Sequence, residues 1–134
     1  QLGIELTEGS LVSTGKDIVT KIMKIRDLGV KFSIDDFGTG YSSLSYLQSL
    51  PLNTLKIDRS FINDIKGANH RVVLVDTILM MAKNLGLDII AEGVETKSEI
   101  SYLSERGCNT YQGFYFSKPV PEETFLQILK SGTI

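Results

Sequence analysis

The chain has 134 residues, of which 42% are hydrophobic and 22% charged, a composition that fits one globular domain and excludes a disordered or low-complexity segment. Formal net charge is -2, and no run of like charge exceeds Asp35-Asp36 or Glu122-Glu123, so there is no basic footprint for duplex nucleic acid. The single cysteine, Cys108, excludes an internal disulfide and a thiolate metal cluster, and no apolar run approaches the about 20 residues that cross a bilayer. Cys108 itself is expected to be a small buried side chain. Gln1-Leu2-Gly3 has no basic leader followed by an apolar stretch. A cytoplasmic location without direct membrane insertion is therefore expected, membrane anchoring of a longer parent protein being left open. A start at Gln, directly on a strand-like run, suggests a piece of something longer.

Leu2 to Leu6 reads as a strand, and Lys16 to Leu28 as a helix with Ile18, Val19, Ile22, Ile25 and Leu28 on one face. Gly29 stands where a helix ends, and Val30 to Ile34 is the next strand. Ser42 or Ser43 can cap a short helix that runs through Leu50 and stops at Pro51, before a strand over Thr54 to Ile57. Asn69 can cap a long helix with Val72, Val75, Ile78, Leu79, Ala82 and Leu85 on one face, Met80-Met81 packing with that stripe. Gly86 ends it, Leu87 to Ala91 is a fourth strand, and Thr96 with Glu99 opens the next helix as a capping box. A short strand near Thr110 to Gln112 and a helix after Pro121, with Phe125, Leu126 and Leu129 packed inward, complete the chain.

Five strand-helix alternations without a linker define an α/β class, and the short apolar strands are of the kind buried on both faces in parallel sheets. The polar residues then choose the architecture. Glu5, Asp35 with Asp36, Lys56 with Asp58, Glu92 and Gln112 all fall at C-terminal strand ends. In a TIM-type (β/α)8 barrel those ends meet at one mouth, where such enzymes keep their chemistry. About five βα units are present, so a partial barrel is expected, lacking its N-terminal part.

Carboxylates gathered at one mouth repel one another, so a cation is expected among them. With one His and one Cys in the chain, the donors are almost all carboxylate oxygens, which favours Mg²⁺ or Mn²⁺ over zinc or copper. Two such ions can clamp a phosphodiester, and Lys56 can orient a water or neutralise charge on a phosphoryl group. Asp36 to Ser43 is glycine-rich, but neither a P-loop lysine nor a kinase catalytic loop accompanies it. It reads as a mobile loop beside the acids. His70 reads as a solvated residue at a helix start.

At this level of detail the chain resembles the EAL domains, which hydrolyse the bacterial second messenger cyclic di-GMP. The resemblance rests on Ile4 to Glu8, Ser33 to Leu44, Leu55 to Phe61, Ile90 to Thr96, Gly107-Cys108, Gln112-Gly113 and Phe116 to Pro119, which together cover nearly the whole chain. It implies that residues 1–134 are the C-terminal portion of a single EAL domain. It further implies that Glu5, Asp35, Asp36 and Glu92 are metal ligands, with Lys56 positioning the attacking water and Glu92 also a candidate base. By the same resemblance Gln112 lies near the substrate, Asp58 and Glu95 belong to the surrounding polar shell, and Glu8 anchors the mobile loop, which in the family links catalysis to dimerisation.

The implied reaction is hydrolysis of cyclic di-GMP to linear pGpG with Mg²⁺ or Mn²⁺. The family's Glu-Ala-Leu signature and an asparagine ligand do not occur in this chain, so its two-metal site is expected to be incomplete and the fragment inactive or weakly active. Exposed barrel edges and the mobile loop imply self-association. The alternative is a catalytically silent EAL domain acting as a cyclic-di-GMP receptor or protein-interaction module.

Overall fold

In a computed structural model, which describes residues 2–9, 17–38, 44–66 and 72–132, five parallel strands alternate with helices. The strands are β1 (Gly3–Thr7), β2 (Lys31–Phe37), β3 (Thr54–Ile57), β4 (Asp88–Glu92) and β5 (Tyr111–Gln112). Between and after them lie α1 (Asp17–Arg26), α2 (Leu44–Ser49), α3 (Arg59–Asn63) with a 3-10 turn over Asp64–Lys66, α4 (Val72–Asn84), α5 (Lys97–Glu105) and α6 (Glu122–Ser131). The sheet order is β1-β2-β3-β4-β5, so every strand pairs with its neighbour in sequence. A doubly wound sheet reverses its strand order at a switch point. This one never does, which is the topology of a barrel wall.

Register divides the sheet into two faces. Ile4 pairs with Phe32, Leu6 with Ile34, Ile34 with Leu55, Leu55 with Ile89, and Ile57 with Ala91. Strand side chains alternate in direction, so these apolar residues share one face. Helices α3, α4 and α5 cover it with Ile62, with Val75, Ile78, Leu79 and Ala82, and with Leu103, forming a single core that also holds Val94 and Cys108. The opposite face carries Glu5, Ser33, Asp35, Thr54, Lys56, Asp88 and Glu92. The expectation of strands buried on both faces holds for β3, where Leu55, Lys56 and Ile57 are all buried, and fails for β1, which has no buried residue on either side.

Several helix signals act as the sequence predicts. Gly29, Gly86 and Gly107 take positive φ at helix ends, and Thr96 and Glu99 form the full capping box. Thr96 Oγ1 accepts the Glu99 N–H at 3.3 Å, and Glu99 Oε2 accepts the Thr96 N–H at 2.8 Å. Three packing expectations fail. Leu28 lies beyond the end of α1 and is exposed, Met80 is exposed while Met81 packs at the core margin, and Phe125, Leu126 and Leu129 on α6 are 51%, 45% and 60% exposed. An apolar stripe states that a helix face is to be covered, and no described element covers that face of α6. The proposed caps Ser42, Ser43 and Asn69, together with His70, lie outside the described residues.

Candidate active site at the strand ends

Lys56 is the centre of the polar face. Its Nζ lies 2.9 Å from Glu5 Oε1, 3.1 Å from Asp35 Oδ1 and 2.8 Å from Glu92 Oε1, so residues of four strands meet at one ammonium. The side chain reaches this point because β3 is the middle strand and Leu55 and Ile57, on either side of Lys56, are fully buried against the helices. Lys56 is itself only 6% exposed. Burial works against its charge, but the carboxylates of Glu92, Glu5 and Asp35 outweigh that effect and hold its pKa above the ordinary lysine value. It remains an ammonium throughout the physiological range.

Asp35 and Asp36 are adjacent, and in a regular strand their side chains would point to opposite faces. The pairing of β2 with β3 is irregular here, running from Ile34 opposite Leu55 to Phe37 opposite Ile57, so Asp35 and Asp36 together span one residue of the partner strand. Asp36 adopts φ 55°, a left-handed conformation that is unusual outside glycine. A bulge of this kind re-aims a side chain. As a result, carboxylate oxygens of Asp35, Asp36 and Glu92 all lie within 4.8 Å of one another. Glu5 is outside that trio and joins the cluster through Lys56.

The donor set fits a hard divalent cation. One ammonium pairs with the carboxylates of Glu5, Asp35 and Glu92, and Asp36 joins the last two, which leaves an excess of negative charge. The buried Asp35 Oδ1 has no hydrogen-bond partner among the described residues beyond its ion pair with Lys56 Nζ at 3.1 Å. A buried anionic oxygen compensated by a single ion pair, in an all-oxygen cluster with excess negative charge, is one that such an ion can satisfy further.

Glu8, just past β1, is buried, and its Oε2 accepts the Gly38 N–H at 2.9 Å. It therefore holds the backbone where the chain leaves the bulge. Gly38 has φ +100°, and a Cβ there would stand 2.8 Å from the Phe61 ring. The rest of the expected mobile loop, residues 39–43, lies outside the described residues.

The remaining expected site residues sit around this cluster. Gln112 pairs with Glu92 and lines an adjoining groove of about 400 Å³ with Arg59, Glu95, Phe114 and Lys118. Asp58 is the N-cap of α3, with Oδ1 accepting the Ser60 N–H at 2.9 Å. Burial raises its pKa, and hydrogen bonds from Ser60 and the Arg59 backbone outweigh this to leave it below the usual value. Glu95 accepts a 2.6 Å hydrogen bond from Arg59 Nη2. Arg59 was not singled out from the sequence. Its signal there is slight, a lone cation two residues past a strand end.

The EAL domain profile matches residues 1–119 of this chain. NbdA of Pseudomonas aeruginosa, a cyclic di-GMP phosphodiesterase, is 43% identical over 130 residues, covering 97% of this chain and 17% of that protein. The chain therefore spans less than a fifth of that relative. Among solved structures, the PaMucR phosphodiesterase in complex with c-di-GMP is similar with a TM-score of 0.87 and 41% identity, over 92% of this chain and 50% of that one. The EAL domain of Mycobacterium smegmatis DcpA is similar with a TM-score of 0.91 and 39% identity, over 98% of this chain and 59% of that one. Klebsiella pneumoniae BlrP1, solved with c-di-GMP and either calcium or manganese, is similar with a TM-score of 0.79 and 34% identity, over 89% of this chain and 30% of that one. These neighbours are TIM-barrel domains of which the present chain corresponds to the C-terminal part. By profile, by relatives and by fold, this chain belongs to the EAL domain family.

Proposed function

We propose that this chain supplies the strand-end half of a metal-dependent phosphodiesterase site that hydrolyses cyclic di-GMP to linear pGpG. The observation that carries the reading is the Asp35, Asp36 and Glu92 trio, assembled by a bulge beside a lysine that stays charged. Mg²⁺ or Mn²⁺, when bound, would supply Lewis-acid polarisation of the phosphodiester and a water of lowered pKa. Asp35, Asp36 and Glu92, with Glu5 at the margin, are the residues to hold it. Lys56 cannot accept a proton in its ammonium form. Its role is to orient water and to neutralise charge that develops on the phosphoryl oxygens. Glu92 is the candidate to take the water's proton; like Asp35, it is shared between Lys56 and the trio. Gln112 and the groove beside it border the substrate. Because the substrate is an intracellular messenger, the reaction belongs in the cytoplasm.

The Glu-Ala-Leu glutamate and the asparagine ligand lie outside these 134 residues in this reading, so the isolated chain is inactive or weakly active. β1 and β5 are the outer strands of the sheet among the described residues, and these edges, with the exposed face of α6, favour self-association of the isolated chain. A silent receptor domain is less well supported, since Glu5, Asp35, Asp36, Lys56 and Glu92 are all retained. The deciding experiment incubates the complete EAL domain carrying this sequence, and the isolated chain, with cyclic di-GMP and Mn²⁺ and follows pGpG. The domain is expected to turn over and the isolated chain to be far slower. Tight binding of cyclic di-GMP by the complete domain without pGpG formation would favour the receptor reading instead.

A further inference from the structure

We infer that Arg59 is a positioning residue for the metal site, acting on Glu92 by clamping the turn that follows it. The inference rests on the metal-dependent reading above and deepens it. Glu92 is the last residue of β4, and the turn beyond it is held by contacts other than the regular strand pairing. The next residue, Gly93, has φ +69°, and the direction of the Glu92 side chain depends on how this turn is held.

The turn is held on three sides. Arg59 lies across it from the β3 side. Its aliphatic stem is pressed so closely on Gly93 that a Cβ there would stand 2.2 Å from Arg59 Cγ, 2.6 Å from Cβ and 2.8 Å from Cδ. The guanidinium then reaches past Gly93 to Glu95 Oε1 at 2.6 Å. On the β5 side, a Cβ on Gly113 would stand 2.1 Å from the carbonyl oxygen of Val94, and the Val94 N–H donates to the Gln112 carbonyl at 3.0 Å. From α5, the buried Glu99 Oε2 accepts the Glu95 and Thr96 N–H groups at 2.7 and 2.8 Å. Two of these restraints are built into backbone or a capping box. Arg59 is the long side chain among them, and it comes from the first residue of α3, two positions past Ile57 at the end of β3.

Arg59 also lines the groove next to Gln112, so direct contact with substrate is the competing role. The geometry favours positioning. Its guanidinium is bound to Glu95 and its stem is laid on Gly93, so it already bridges the turn that follows Glu92.

The test measures Mn²⁺ affinity by calorimetry, without substrate, on the complete EAL domain and its Arg59→Ala, Arg59→Met and Glu95→Gln variants, with kcat and KM for cyclic di-GMP alongside. Loss of a residue that orients a metal ligand typically weakens metal binding by about 10- to 100-fold, and that is expected for Arg59→Ala. Activity at low Mn²⁺ should fall with it and recover at saturating Mn²⁺, with KM little changed. Arg59→Met keeps the stem on Gly93 and should lose less. If Arg59→Ala fails to fold by circular dichroism, Arg59→Met and Glu95→Gln decide, and native Mn²⁺ affinity in both overturns the inference. Native Mn²⁺ affinity with a raised KM makes Arg59 a substrate contact, which overturns the inference and leaves the phosphodiesterase reading intact. A native domain that binds no Mn²⁺ overturns both.

Discussion

Lys56 Nζ and Glu92 Oε1 are 2.8 Å apart, and Glu92 also belongs to the carboxylate trio that fits a cation. One carboxylate therefore serves two positive centres. Replacing Lys56 by Met keeps most of its volume and removes the donor. Loss of a single preorganised donor at a reacting oxygen lowers kcat by about 10²- to 10³-fold, the fall expected for Lys56→Met in the complete domain. KM for cyclic di-GMP should move far less. A matching rise in KM with unchanged kcat would assign Lys56 to ground-state binding and overturn its role in charge neutralisation.

The titration of Lys56 makes a separate prediction. Its folded-state pKa is held above the unfolded value of 10.5, so its stabilising contribution is fully present below pH 10.5 and is lost as pH rises through the folded value. The difference in unfolding free energy between native and Lys56→Met should therefore show no contribution from lysine titration between pH 6 and 9. It should shrink only above about pH 10.5, as urea unfolding at stepped pH can measure. A difference that already declined between pH 6 and 8 as Lys56 lost its proton would mean that Lys56 can act as a base near neutrality.

Glu8 and Gly38 form one contact seen from two ends. Removing the Glu8 carboxylate strips the Gly38 N–H of a charged acceptor, which costs about 1.5–3 kcal/mol for a hydrogen bond of this kind. Gly38→Ala forces a side chain into a left-handed conformation and against Phe61, and is expected to cost about 1–2 kcal/mol from the backbone alone. Both changes loosen the same exit from the Asp35-Asp36 bulge. Their effects should fall short of additive by at least about 0.5 kcal/mol in a double-mutant cycle. Full additivity would show that Glu8 does not act through Gly38.

The strand ends were legible in the sequence because each is an apolar run closed by a charge, and Glu5, Asp35, Lys56 and Glu92 do converge. What brings Asp36 to the same place was not. Adjacent acids on a strand point apart by default, and only the register slip opposite Lys56, with φ 55° at Asp36, turns both toward Glu92. Register is a property of two strands and leaves no mark on either alone. Helix α3 was missed because five residues carry no periodicity, although its cap, Asp58, was noticed for another role. Arg59 was passed over for a similar reason. Its partners, Gly93 and Glu95, lie more than thirty residues away, and nothing local announces them.

Helix α6 shows what periodicity can and cannot say. Phe125, Leu126 and Leu129 form a real apolar stripe, but in this chain they face solvent, close to the exposed Phe114 and Phe116 in sequence. Fully covering a Phe or Leu side chain contributes about 1.5–3 kcal/mol, so this face carries a considerable drive toward any apolar partner. For the isolated chain the nearest such partner is a second copy. Light scattering should give a mass above the 14.8 kDa of one chain, growing with concentration. Phe125→Glu with Leu129→Glu should shift the chain back toward monomer without loss of helical signal, because neither residue contributes to the core. A native chain that stays monomeric at high concentration would rule out association through α6. Association that survives the double substitution would move the contact to the outer edges of β1 or β5, which the substitution leaves untouched.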